Sequence, residues 1–410
     1  MKHIAFRQLN RLAMIGVMAA LLGSAATAQT AYTVTILAPP ADAVAYFPSL
    51  LDKQGGVVGG MFYKGPTQLS VPLWGGCLWC PTYQVRPVSW SAEASASVVA
   101  VLGKPNLFPL ASNDKGTLLG PYRSKFSQVP PYFPPTGWPT GDAQTGWDLG
   151  LISLDTATRQ GRVDKVVAQE LHGKGKPLKA NGLNNRDWLL GVTTRPPFPG
   201  VSYALYVADV VRGGVASLLE LGDFQGSSAS GINDAGMVVG AVDKHSPDTG
   251  NGSNFLYSRP AIWVNDQLTW VGDESLQYMD ATNVNASGQV LLNGGAGKTP
   301  QAALWDHGIV TPIAVGAVGE LVMATALNDQ GTVVGCTKGA LDGDPFLPFI
   351  WKNGLKMDLT QELANKGVTP PVGMVWACPL AINNSGAILT HYWDGTGKTP
   401  STWVRLNPKP

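Results

Sequence analysis

The chain has 410 residues, 29 Lys and Arg against 28 Asp and Glu, and a formal net charge of +1. That balance removes the electrostatic drive toward nucleic acid or an anionic membrane. Hydrophobic residues make up 44%, which excludes a disordered chain, and 49 Gly with 31 Pro favour many turns over long helices.

The first segment reads as an export signal. Lys2, Arg7 and Arg11 form a basic region, Leu12 to Leu22 is a short apolar run, and Ala26-Thr27-Ala28 is a cleavage pattern. Residues 1–28 are therefore expected to be a signal peptide, and 29–410 a single exported domain, periplasmic or extracellular. The apolar run is too short to span a bilayer comfortably, and no later stretch approaches 18 apolar residues. No membrane span is expected in the mature chain. The four Cys suit disulfides in an oxidising compartment.

Next comes Tyr32-Thr33-Val34-Thr35-Ile36-Leu37, an alternating strand with no partner in its own neighbourhood. A repeat then runs to the C-terminus. Ile232-Asn233-Asp234-Ala235-Gly236-Met237-Val238-Val239-Gly240 recurs as Leu327 to Gly335, Val284 to Leu292 and Ile382 to Leu389. Weaker copies begin at Ser112 and Leu183, and the most degenerate at Leu51. The turn glycine sits at 55, 116, 236, 288, 331 and 386, with Asp187 in its place in the third copy. The period is that of a propeller blade of about 40–50 residues with insertions.

Each repeat predicts four short strands. Asn-Asp-x-Gly between apolar runs is a tight turn in which Asn bonds the turn backbone and Gly takes positive φ. Val-Val-Gly reads as a buried strand ending at a bend. A later apolar strand ends in Trp at Trp90, Trp263, Trp305, Trp351 and Trp403, and a polar turn such as Lys352-Asn353-Gly354 leads to a fourth strand. The recurrent Trp reads as packing between units. Seven such sheets, each unable to bury both faces alone, predict an all-β, seven-bladed β-propeller. The last repeat lacks an obvious fourth strand, so Tyr32–Leu37 is expected to complete the last blade as its outer strand.

These units resemble the HAF repeat of bacterial extracellular proteins, through Ile232 to Gly240 with Pro260 to Trp263, and Leu327 to Gly335 with Phe349 to Leu359. The resemblance implies export and a propeller-like fold. It brings no catalytic residues.

The insertions between second and third strands fall on one face, which is where repeat proteins often bind ligands. Trp74, Trp79, Trp138, Trp376, His391, Tyr392 and Trp393 are candidate ligand-binding residues there, with Tyr122, Tyr132 and Phe133 nearby. Flat amphipathic rings suit a glycan or a protein partner. Each ring has a second reading as a pin holding a long loop onto the disc. Cys336 and Cys378 map to the same face of adjacent blades and are expected to pair, leaving Cys77 to pair with Cys80. No cofactor or metal is expected: the His residues lack ligand spacing, Gly297-Lys298-Thr299 lacks a phosphate-loop context, and Asp342-Gly343-Asp344 reads as a solvated turn.

The functional expectation is a monomeric, exported, non-catalytic binding module with a glycan or protein ligand and no nucleic acid. The alternative is a secreted polysaccharide lyase or glycoside hydrolase using His391 with Asp394 or Glu320. Hydrolysis would need two carboxylates converging across a cleft.

Overall fold

A computed structural model of the chain describes residues 32–39, 43–69, 79–91, 96–98, 106–107, 109–123, 148–154, 161–166, 177–193, 204–209, 217–218, 226–245, 255–294, 301–314, 321–339, 346–396 and 401–409. Strand β1 (Tyr32–Ile36) comes first. The first sheet is β2 (Ala45–Leu51), β3 (Val57–Leu69), β4 (Trp79–Trp90) and β5 (Ala96–Val98). The second is β6 (Asn106–Leu107), β7 (Ala111–Ser112), β8 (Thr117–Arg123), β9 (Asp148–Leu154) and β10 (Gly161–Val166). The third is β11 (Pro177–Leu183), β12 (Trp188–Thr193), β13 (Ala204–Asp209) and β14 (Ser217–Leu218). The fourth is β15 (Gly226–Ile232), β16 (Val238–His245), β17 (Phe255–Val264) and β18 (Gln267–Trp270). The fifth is β19 (Met279–Val284), β20 (Val290–Gly294), β21 (Ala302–Asp306) and β22 (Ile309–Ala314). The sixth is β23 (Leu321–Leu327), β24 (Val333–Lys338), β25 (Phe346–Lys352) and β26 (Leu355–Asp358). A helix, α1 (Leu359–Asn365), leads to β27 (Val375–Trp376), β28 (Ala381–Ile382), β29 (Ile388–Trp393) and β30 (Thr402–Pro408). Among the described residues these form seven antiparallel sheets.

The turn between the first two strands explains why the repeat is written as it is. Asn233 Oδ1 accepts the N–H groups of Ala235 and Met237, closing the turn from inside. Its Nδ2 donates to the Asn285 carbonyl in the next sheet's turn. Asn184, Asn285 and Asn328 hand the same bond forward to Asn233, Asn328 and Asn383. Asn113 donates to the Asn184 carbonyl, and Asn383 to the Asp52 carbonyl of the first sheet. One side chain therefore builds a turn and fastens it to its neighbour. Asp52 accepts from Gly56 but has no amide to donate. The first-to-second link is instead the Lys53–Asp114 ion pair at 2.5 Å.

In the third turn Asp187 occupies the left-handed position, with φ of 62°, where the others carry Gly. Its carboxylate is held by Asn113 Nδ2, Lys115 Nζ and Thr117 Oγ1 of the second sheet. Three donors offset the backbone strain of a non-glycine residue there.

The glycine of Val-Val-Gly does not end its strand, contrary to the sequence reading: β16 runs on to His245. Gly240 pairs with Ala229, beside a bulge between Ala229 and Gly231. A Cβ at 240 would lie 1.9 Å from the Ser228 carbonyl oxygen. The residue is glycine because the bulge brings one backbone onto the other. The first insertion also departs from the expected loop. Residues through Leu69 and from Trp79 extend β3 and β4 into a long hairpin.

Burial lies between consecutive sheets. Leu190 of the third sheet packs with Ala229, Val238 and Trp263 of the fourth, and Leu291 of the fifth with Val333, Phe349 and Trp351 of the sixth. Trp90 and Trp263 are fully buried and Trp305 and Trp351 nearly so, which bears out the packing role of the recurrent Trp. Burying such a side chain stabilises by about 2–3 kcal/mol. The last sheet meets the first in the same way, through Leu389 and Trp403 against Val57, Met61, Val88 and Trp90. There β1 pairs antiparallel with β30, Tyr32 opposite Pro408 and Ile36 opposite Val404, as the outer strand expected from the sequence. The chain then crosses to the first sheet, where Leu37 is buried and the Trp90 indole donates to the Ala38 carbonyl at 2.9 Å. Arg405, 1% exposed, reaches from β30 to the Gly55 and Ser91 carbonyls.

Asn233→Ala removes both turn bonds and strands a buried carbonyl, so urea unfolding should show a loss of about 2–4 kcal/mol. Asn233→Asp, which keeps the acceptor, should lose less. Gly240→Ala, whose Cβ would meet backbone, should be more damaging than Gly308→Ala, where only the left-handed φ of 101° opposes a side chain and nothing lies within 4 Å; circular dichroism melts of the pair check the order.

Candidate functional site at the turn face

The second residue of each turn is carried to the middle of the turn face. Lys53, Asp114, Asn185, Asp234, Ala286, Asp329 and Asn384 line one cavity of about 220 Å³ together with the turn residues Asn233, Asn285, Asn328 and Asn383. Their order follows directly from the fold, since each sheet contributes one turn.

The lining side chains fix one another. Asn185 Nδ2 donates to Asp114 at 2.5 Å and to Asp234 at 2.7 Å, while its backbone N–H donates to Asp234 Oδ1. Asn384 Nδ2 donates to Asp329 Oδ2 at 2.5 Å. Asp329 Oδ1 takes the Ala286 N–H, and the Asp329 N–H goes to Asn384 Oδ1. The pattern breaks where the fifth repeat carries Ala286. Among the described residues the Asp234 backbone N–H then finds no side-chain acceptor.

Lys53 is the single cation of this lining, against three carboxylates. Its ammonium is held above the usual lysine range, first by its hydrogen bond to Asp114, against the opposing effect of burial, and further by the charges of Asp114, Asp234 and Asp329. Both oxygens of Asp234 and of Asp329 accept N–H donors from neighbouring turns, which fixes their orientation in the cavity. The lining therefore presents fixed carboxylate and amide oxygens, and each oxygen of Asp234 and Asp329 keeps a lone pair for a further hydrogen-bond donor.

The residues expected from the sequence sit elsewhere. Trp74, Trp138, Tyr132, Phe133, Glu320 and Cys77, with the Gly297 and Asp342 segments, lie outside the described residues, and Trp79, Cys80 and Tyr122 are placed by backbone alone. Trp376 is 3% exposed and Tyr392 9%, their rings edge-to-face at 5.8 Å in the core between the last two sheets. Both side chains lie in one buried cluster with Val334 and Leu363. His391 lies against the Trp403 ring at 4.5 Å. Burial pushes its imidazole down to about 4. No hydrogen bond joins it to Asp394, which accepts the Thr396 N–H instead. Trp393 is half-buried at the strand end. Sequence reasoning looked to the elaborated face and passed over the turns; aligning the seven copies and reading the second position alone would have found the polar lining.

Cys336 and Cys378 form the expected disulfide, Cα atoms 5.2 Å apart, tying β24 to the segment before β28. No helix among the described residues is long and apolar enough to cross a membrane.

No family model matches the chain, and no curated protein matches it. Among solved structures it is similar to a protein of unknown function from Dyadobacter fermentans, at 10% identity, TM-score 0.40, covering 92% of this chain and all of that one. It is also similar to an α-L-arabinanase from Penicillium chrysogenum, at 13% identity and TM-score 0.37, covering 79% and 98%. A third is the Hadza microbial sialidase Hz136, at 10% identity and TM-score 0.34, covering 91% and 97%.

The Cys336–Cys378 bond closes a sequence separation of 42. Reduction, or Cys336→Ser with Cys378→Ser, should lower stability by about 2–4 kcal/mol, read as a shift of the urea midpoint with and without reductant.

Proposed function

We propose that the mature chain, residues 29–410, is an exported seven-bladed propeller of the HAF-repeat type that acts as a monomeric, non-catalytic binding module for a glycan. The observation that carries this reading is the cavity at the turn face, to which every sheet lends one polar turn or its neighbour. The closure of the last sheet by β1 supports the ring, and the disulfide suits an oxidising compartment. Fixed carboxylate and amide oxygens around an open cavity match the many O–H donors of a sugar. Their mutual hydrogen bonds preorganise them, which lowers the cost of binding.

The test is a polysaccharide and oligosaccharide screen of the mature chain by calorimetry, with prolonged incubation and assay for reducing-end or unsaturated products. Binding without product, weakened about tenfold or more by Asp234→Ala and by Asp329→Ala and unchanged by Trp393→Ala, is the expected result. Loss with Trp393→Ala alone would move the site to the loop-rich face. Product formation would establish the lyase or hydrolase alternative, and binding only to a protein partner would replace the ligand class.

A further inference from the structure

The last sheet meets the first across a face that holds one unusual group. On β29 and β30, Leu389, Trp403 and Arg405 point toward the first sheet, while Ile388, Tyr392, Val404 and Leu406 point back toward the sixth. His391 shares the face of Leu389 and lies directly opposite Trp403 in the strand pair. Its Nδ1 is buried and has no hydrogen-bond partner among the described residues. An imidazole in that position is accommodated only when neutral, because the cation would carry a buried N–H without an acceptor.

The charged groups around this seam are engaged elsewhere. Arg405 of β30 is bound to the Gly55 and Ser91 carbonyls. Arg86 of β4 lies over the Tyr63 ring at 4.6 Å. Asp52, beyond β2, accepts the Gly56 N–H, and Asp394, beyond β29, accepts the Thr396 N–H. Tyr46 of β2 is hydrogen-bonded to the Trp403 backbone, and burial raises its hydroxyl well above any pH used here. None of these offers His391 a counter-charge.

We propose that the seam between the last and first sheets is an acid-sensitive closure, opened by protonation of His391. The seam is where the two ends of the repeat array meet. Opening it separates Leu389 and Trp403 from the first sheet, breaks the Arg405 bonds to the Gly55 and Ser91 carbonyls, and leaves the β1–β30 edge of the last sheet without packing on that face. The direction follows from linkage. Burial lowers the imidazole from 6.5 to about 4 in the closed state. Between those values an opened seam takes up a proton that the closed one does not, so opening grows as pH falls. The opening constant should rise about tenfold per pH unit across that window, by roughly 300-fold in all, and level off outside it.

The experiment is hydrogen exchange of the full mature chain from pH 7 to pH 4, corrected for intrinsic exchange. Segments 32–38 and 402–408 are compared with 279–294 and 321–338, which lie away from the seam. The expected result is loss of protection at the seam segments alone, following the stated slope, and its absence in His391→Phe. Because that variant could misfold, the His391 ring is also titrated by NMR in the unaltered chain. An unshifted titration near 6.5, the same pH slope in a folded His391→Phe, or equal loss at the distant segments would each overturn the proposal.

Discussion

The turn asparagine is the contact on which the rest of the molecule depends. Its oxygen closes a turn within one sheet and its amide nitrogen fastens that turn to the next. A four-stranded sheet with two apolar faces cannot bury them alone, so the position of its neighbour must be specified. Hydrophobic packing is non-directional and does not specify it. The asparagine does: from Asn113 round to Asn383 each bond sets one turn against the following one, and the last reaches the Asp52 carbonyl.

That geometry also accounts for the cavity. Once the first turn residue is committed to the ladder, the second is left facing inward. Its identity is free of the packing constraint, and in this chain it is mostly polar. The exceptions carry information. Ala286 interrupts the hydrogen-bonded lining, and Lys53 both supplies the missing link from the first turn and offsets part of the negative charge. Cavity lining and scaffold are thus adjacent residues of the same turn.

Much of the fold was legible because it rests on local rules. Asn-Asp-x-Gly named the turns, even to Asp187 in the glycine position, and the unpaired Tyr32–Leu37 strand named the outer partner of β30. Helix α1 was not foreseen: its Leu359 and Leu363 are buried against the last two sheets, a tertiary reward that a short segment does not advertise. The bulge opposite Gly240 was missed for a related reason, since a glycine in a strand signals a close approach without saying to what. The site was less legible than the fold. Aromatic residues drew the reading to the loop-rich face, yet Trp376 and Tyr392 turn inward to the core, which strand alternation settles only when the pairing partner is known. Polar turn residues carry no such prominence in a sequence, and their convergence appears only once the turns are brought together in the fold.

Closure is the claim from which the cavity and the seam both follow, and a crosslink tests it most directly. Thr33 and Asn407 are opposite one another in the β1–β30 pair, although one lies near each end of the chain. The variant Thr33→Cys with Asn407→Cys, made with Cys77 and Cys80 replaced by Ser, is oxidised at low protein concentration, digested and mapped by mass spectrometry. An intramolecular bond between the two positions in the monomer, with a raised melting temperature, is the predicted result. A failure to crosslink, or bonds only between molecules, would contradict a closed array and with it the cavity at its centre.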